Sequence, residues 1–345
     1  MAEASLCQSE HPDLDLYHPW EIEPTQAIEL AQQLEHEAFA LDSRIVNSDG
    51  THISTTTGCF GYANTHGAEG LVYSSRHSIS CSLIASQNQK LQRDYDYSTA
   101  RDPKNLAAIT KLAHGAAQRA LNRLDARPIK TQQAPVLFDA RISAHLLHCF
   151  IQAISGGNLY RRQSFLSDSI GLKLFPDWFH LQEHPYIPGA LGSSAWDADG
   201  VTTRENIFVD EGKIQNYVLS TYSARRLGLQ TTGNAGGVHN LTVSTTHQDR
   251  DHLLQDMHTG LYVTELMGDG VNIQTGDYSK GAFGYWVENG QIVHPVEEIT
   301  LAGHLKNLFL GIQGIGADFD LNRATQCGSI LIDYMMIAGT SIHEC

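Results

Sequence analysis

The sequence predicts a mixed α/β (α+β) protein built from two units. The first is a helix–antiparallel sheet–helix unit, and the second is rich in β-strands. Three observations carry this. Apolar residues recur at helical spacing near 25–42 and again near 104–124. Between those stretches lie short runs of β-branched and aromatic residues, punctuated by Asn, Asp and Gly. Beyond about 135 the chain becomes glycine-bearing, with strand-like runs and tight-turn signals. At 345 residues the chain is long enough for roughly two domains of ~150 residues. The boundary is expected in the linker from Arg127-Pro128 to Ala134-Pro135, giving units 1–127 and 128–345.

Residues 1–24, acidic and holding Pro12, Pro19 and Pro24, read as an extended arm that packs on the rest of the chain. Pro24-Thr25 then opens a helix whose stripe is Ala27, Ile28, Ala31, Leu34, Ala38 and Leu41. Strands are expected at 44–47, 51–57, 59–64, 70–73, 77–86 and 90–98. Asn47-Ser48-Asp49-Gly50 and Ser86-Gln87-Asn88-Gln89 read as hairpin turns. The helix over 104–124 presents Leu106, Ile109, Leu112, Ala113, Ala116, Ala117, Ala120, Leu121 and Leu124 as its apolar stripe. After the linker come a buried strand at 136–138, a helix at 139–154 ending at Gly156-Gly157, and a hairpin at 206–219. A short helix follows at 221–229. Strands at 261–267, 281–288 and 291–293, a helix at 303–311 and strands at 328–337 complete the unit. Gly311-Ile312-Gln313-Gly314-Ile315-Gly316 reads as a sheet or loop turn, because it follows a helix and lacks a phosphate-loop Lys.

Composition bounds the function. Lys plus Arg is 23 and Asp plus Glu is 38, a net charge of −15. That balance repels phosphate backbones and anionic lipid, which argues against direct nucleic-acid or membrane binding. No long apolar run or signal-peptide pattern is visible. The six cysteines, Cys7, Cys59, Cys81, Cys149, Cys327 and Cys345, form no CxxC pair. Together these features point to a cytoplasmic protein with free thiols.

A zinc-protease helix needs two imidazoles converging on one ion and a carboxylate to activate water. His36-Glu37, Glu183-His184 and His343-Glu344 do not complete such a motif. His145 and His148, three apart beside Cys149, could meet Cys327 around a metal. The simpler reading is interior His and Cys. The polar, glycine-bearing segments 231–240, 268–270 and 275–281 allow a backbone to approach a ligand closely.

Several of these segments together resemble the TldD/PmbA metalloprotease family. They are 231–240, Val263-Thr264-Glu265-Leu266-Met267-Gly268, Thr275-Gly276-Asp277-Tyr278-Ser279-Lys280-Gly281 and Trp286-Val287-Glu288-Asn289-Gly290, in that order. Ser220-Thr221-Tyr222-Ser223-Ala224-Arg225-Arg226-Leu227-Gly228, Gln326-Cys327-Gly328-Ser329, Arg93-Asp94-Tyr95-Asp96-Tyr97 and 13–19 also fit. The likeness spans nearly the whole chain, is closest to the PmbA (TldE) branch, and suggests an N-terminally short first unit.

The resemblance implies a cytoplasmic two-subunit protease in which the TldD-type subunit carries a His-Glu-xxx-His zinc helix and a C-terminal Cys. Aligned on Ala153-Ile154-Ser155-Gly156-Gly157, this chain has His148 at the first His, Cys149 at the Glu and Ala153 at the second His. Cys327 falls at the Cys position. The chain is therefore expected to be a subunit without a complete zinc site. No cofactor is expected in it; zinc would sit in a TldD-like partner.

The partners implied are that subunit, self-association, or both, together with unfolded peptide in peptide maturation or antitoxin degradation. The family's link to DNA gyrase control would be indirect. The peptide-binding candidates are Asn234, His239, Asn240, Asp277 and Tyr278. Two alternatives remain open: a non-proteolytic scaffold, or an autonomous atypical metalloprotease using His148 and Cys327 with Cys149 and His145.

Overall fold

The computed structural model describes residues 12–65, 67 and 69–339. Cys7, Cys345 and His343-Glu344 lie outside the described residues. The arm over 12–23 is extended and spans both units. Leu14 and Leu16 are buried beside Trp196. The Leu16 carbonyl accepts from Ser75 N at 2.9 Å, and the Leu14 carbonyl from Gly189 N at 2.8 Å.

Helix α1 (Pro24–Leu41) starts at a proline, where a missing N–H costs nothing, with a Glu23/Gln26 capping box. Three long strands follow, β1 (Ile45–Ala63), β2 (Glu69–Gln87) and β3 (Lys90–Ala100), in an antiparallel sheet of order β1-β2-β3. The expected breaks at 47–50 and between 57 and 59 are absent: β1 is one strand. Asn47-Ser48-Asp49-Gly50 forms a bulge, with register shifts between Ile45/Asn47 and Ser48/Gly50, and Gly50 at φ +120°. Its turn chemistry bends the strand instead of reversing it. Asn88 and Gln89, both at positive φ, make the turn expected before β3.

Helix α2 (Ile109–Asn122) begins later than expected, after a short 3₁₀ turn at Pro103–Asn105. Ile79, Cys81, Leu83 and Ala85 alternate inward from β2 and meet Leu34, Ala38, Leu112, Ala113, Ala116 and Ala120. The alanines let α2 lie close on the sheet.

In the second unit β4 (Gln132–Phe138) leads into α3 (Ala140–Ala153) and α4 (Gly156–Tyr160). Then come β5 (Leu181–Glu183), β6 (Asn206–Asp210), β7 (Lys213–Ile214), α5 (Thr221–Leu227) and β8 (Leu241–Val243). They are followed by α6 (Arg250–Met257), β9 (Gly260–Met267), β10 (Val271–Asn272), β11 (Asp277–Glu288) and β12 (Gln291–His304). The unit ends with α7 (Leu305–Leu310), β13 (Ile312–Ile315), β14 (Thr325–Gln326) and β15 (Ile330–Ala338). One sheet runs β10-β11-β12-β15-β4-β9, with β13 on β15. Because β9 also pairs with β11, strands β4, β9, β11, β12 and β15 close into a barrel. A smaller sheet has the order β14-β8-β5-β6-β7.

Two expectations change here. The 311–316 segment holds strand β13, and the expected 275–281 loop becomes strand from Asp277 onward. Among the described residues no helix is long and apolar enough to cross a membrane.

Candidate functional site in the cleft between the two units

Asp139 caps α3, accepting from Arg141 N at 2.9 Å. Leu146, Leu147, Phe150 and Ile151 hold the helix in the core of the second unit. The four positions aligned with a zinc motif are all fixed by this helix or stand beside it. His148 is exposed, with Nε2 2.9 Å from Gln152 Nε2. Cys149 is buried, its Sγ 3.6 Å from His145 Nε2. Burial pushes the Cys149 thiol up to about 11, with Lys280 pulling weakly the other way. Burial, then the charges of Lys280 and His148, push His145 down to about 4. At neutral pH the pair is therefore an uncharged imidazole beside a protonated thiol, not an activated nucleophile.

Ala153 is buried and offers no donor atom. Cys327 is fully enclosed; burial pushes its thiol up to about 12, while the Ser143 hydroxyl acts against that rise. Its Sγ donates to the Gly328 carbonyl at 3.4 Å. At about 100° per residue, Ser143 and His148 project some 140° apart around α3. Cys327 and His148 therefore address different sides of the helix. This set does not fit a tetrahedral ion: one imidazole faces solvent, the two thiols are buried among core side chains and Ala153 offers only a methyl. Among the described residues no group of three or more His, Cys, Asp or Glu is arranged to hold a metal.

The peptide-binding candidates are mostly structural. Glu183, fully buried at the end of β5, accepts from Asn234 Nδ2 at 2.8 Å, Asn206 Nδ2 at 2.6 Å and His239 N at 2.6 Å. His239 Nδ1 lies 2.9 Å away from it. Burial raises the Glu183 pKa, but bonds from His239 and Asn206 outweigh it and hold the carboxyl below its usual range. Asn240 is buried too, donating to the His184 carbonyl at 2.9 Å and to Ser193 Oγ at 2.8 Å. The polarity of 231–240 thus folds the loop. Tyr278 is buried against His145 at 6.0 Å between ring centroids, and its hydroxyl has no partner among the described residues. Only Asp277 is exposed, accepting from Thr275 Oγ1 at 2.6 Å.

What the fold does assemble is a cleft of about 560 Å³ between the units. Its charged walls are Arg76, Arg119, Arg141, Lys280 and Arg323, against Asp94 and Glu265. His145 and His148 line it as well. None of these five cations stood out in the sequence as a site residue, because they lie on separate elements. Lys280 fell inside a segment noted for its glycines, and Asp94 and Glu265 inside segments noted for resemblance alone. Arg141 stacks over Tyr95 at 4.9 Å and Tyr97 at 5.2 Å, 3.5 Å from Asp96. Arg323 pairs with Asp320 at 3.1 Å.

Comparison with known proteins matches this architecture. Residues 17–124 fit the family described as the PmbA/TldA metallopeptidase central domain, and 131–339 its C-terminal domain. "Metalloprotease PmbA" of Escherichia coli O157:H7 is 41% identical over 98% of this chain and 75% of its own length. A homologue from Haemophilus influenzae is 40% identical over 98% and 75%. A Bacteroides thetaiotaomicron crystal structure, described as a modulator of DNA gyrase, superimposes with a TM-score of 0.92 at 26% identity, covering 97% of this chain and 77% of that one. TldE from Thermococcus kodakarensis shares the fold, with a TM-score of 0.80 at 19% identity over 96% and 79%. With both family domains matched and relatives this similar along its length, the chain belongs to the PmbA/TldD metallopeptidase family.

Proposed function

We propose that this chain is a peptide-holding, non-catalytic subunit of a TldD–TldE-type zinc protease complex that cleaves unfolded peptides in the cytoplasm. The observation that carries this is the condition of the zinc-motif positions: His148 leaves α3 on a different side from the one Cys327 packs against, Cys149 is a protonated thiol, and Ala153 has no donor. A thiol near 11 does not polarise water as a carboxylate does. Losing groups that act together removes most of the rate. Zinc and the general base would come from a TldD-like partner, and the cleft of this chain would hold or guide substrate. Any gyrase effect would be indirect, since a chain of charge −15 does not favour DNA.

The test is zinc per chain and peptide cleavage, for the chain alone and mixed with a TldD-like subunit. The reading expects near-zero zinc and no cleavage alone, and chelator-sensitive cleavage in the mixture. Stoichiometric zinc in the lone chain, lost in His148→Ala or Cys327→Ser together with cleavage, would overturn it. A mixture with no cleavage beyond the partner's own would favour a scaffold.

A further inference from the structure

We propose that the cleft between the two units binds an elongated acidic peptide, carboxylates at the Arg76–Arg119 end and apolar side chains beyond. The proposal rests on the reading of the chain as a peptide-holding subunit and names the peptide class that it takes.

The charge balance of the walls is the first argument. Five cations and two carboxylates line the cleft of a protein that is −15 as a whole; Arg141 and Arg323 are answered by Asp96 and Asp320, which leaves Arg76, Arg119 and Lys280. Both lining carboxylates are already engaged from behind by Arg123, 3.3 Å from Asp94 and 2.5 Å from Glu265. The guanidinium groups of Arg76 and Arg119, which line the cleft, make no hydrogen bond or ion pair among the described residues. Lys280, largely buried, donates to the Gly268 carbonyl, and its nearest carboxylate, Asp269, is 3.9 Å away and fully exposed.

A sixth cation adds to the field. Arg101 is half-buried close to Arg76 and donates to the carbonyls of Ala190 at 2.8 Å and Leu191 at 2.9 Å, not to a carboxylate. Positive charge without a carboxylate partner attracts anionic groups.

The shape of the cleft supplies the rest. A second cavity of about 460 Å³ borders the first, with Asp94, Arg119 and Thr264 lining both. Its walls include Tyr262, Tyr285, Ile292, Val293 and Pro295, which suit apolar side chains. Thr264 lines both cavities, and its hydroxyl is buried with no partner among the described residues. A compact phosphate would use the cationic end alone. A peptide with carboxylates followed by apolar residues would use both.

The experiment is fluorescence anisotropy on the full chain, without partner or zinc. The probes are a short peptide of Glu and Asp followed by Leu, Val and Phe, its Gln/Asn counterpart, and a version with the acidic part followed by Ser and Gly, all carrying one neutral fluorophore. The acidic–apolar peptide is expected to bind about tenfold more tightly than either control, with affinity falling as salt rises. Arg76→Gln with Arg119→Gln should remove most of that preference, because neither arginine supports another residue. Lys306→Gln, an exposed change on α7, should leave it intact.

Equal binding of the charged and neutral peptides would overturn the proposal while leaving a peptide-holding role in place. So would displacement by millimolar inorganic phosphate with no advantage for the apolar tail, which would mark a simple oxyanion site. Absence of any peptide binding would also overturn it. The non-catalytic reading is judged separately by zinc and cleavage.

Discussion

At the scale of single residues, Glu183 organises more of the structure than any side chain singled out in the sequence. It gathers Asn206 from β6 and Asn234 and His239 from the 231–240 loop around one buried carboxylate. Such a charge is tolerable only while it is ionised and fully hydrogen-bonded. Glu183→Gln replaces acceptor oxygen by an amide donor facing donors, and should cost about 2 kcal/mol in urea unfolding.

The pH dependence follows from the sign of the shift. The folded pKa of Glu183 lies below its ordinary 4.5, so its contribution is fully present above that value and lost as pH falls through the lower folded pKa. Asp320 acts the same way: burial opposes its ionisation, but bonds from Tyr97 and Asn322 prevail. Asp197, raised chiefly by burial, acts oppositely and offsets part of the loss. Glu183→Gln should flatten the acid limb of the stability profile. An unchanged profile would show that the hub does not titrate with unfolding.

At the scale of elements, the barrel closes through a kink in β11. Register shifts fall between Ala282 and Gly284 against β12, and between Phe283 and Gly284 against β9. A Cβ on Gly284 would stand 2.2 Å from the Tyr262 carbonyl oxygen, so β9 and β11 approach this closely only because the residue is glycine. Gly284→Ala should destabilise the second unit by about 1–3 kcal/mol and raise amide exchange along β9. Wild-type exchange in β9 would show that the ring closes without this contact. The same physics explains the bulge in β1: Asn, Ser, Asp and Gly can either reverse a chain or bend it, and local sequence does not choose between them.

At the scale of the whole molecule, the two units are joined by a few specific polar ties across an acidic protein. Arg123, just beyond α2, bridges Asp94 of β3 to Glu265 of β9 and lies 3.8 Å over the Phe283 ring. Tyr97 donates to Asp320 at 2.7 Å, and Asn322 accepts from Thr99 N at 2.8 Å. Arg123→Ala leaves two carboxylates together without their shared cation. It should cost about 2 kcal/mol, less than a fully buried bridge because Glu265 is partly solvated. Exchange should rise on both walls of the cleft while the α1–α2 core stays protected. Uniform exchange would argue that the units unfold as one.

Sequence alone determined what depends on neighbours along the chain. The helices α1, α2 and α3 and the turn at Asn88 were legible because helical spacing and turn residues are local. So was the family, since its motifs run in order along the chain. That α3 carries no His-Glu-xxx-His is likewise a fact of residue order.

Tertiary structure decided the rest. It closed the barrel through β9 and β11, turned Asn234 and Asn240 inward onto loop-holding bonds, buried Tyr278, and set Cys327 and His148 on different sides of a helix. It also placed Arg76, Arg119, Arg141, Lys280 and Arg323 around one cleft. The reason is physical: burial, dielectric and the summed charge of a cavity are properties of what surrounds a residue in space, and chain spacing does not encode them.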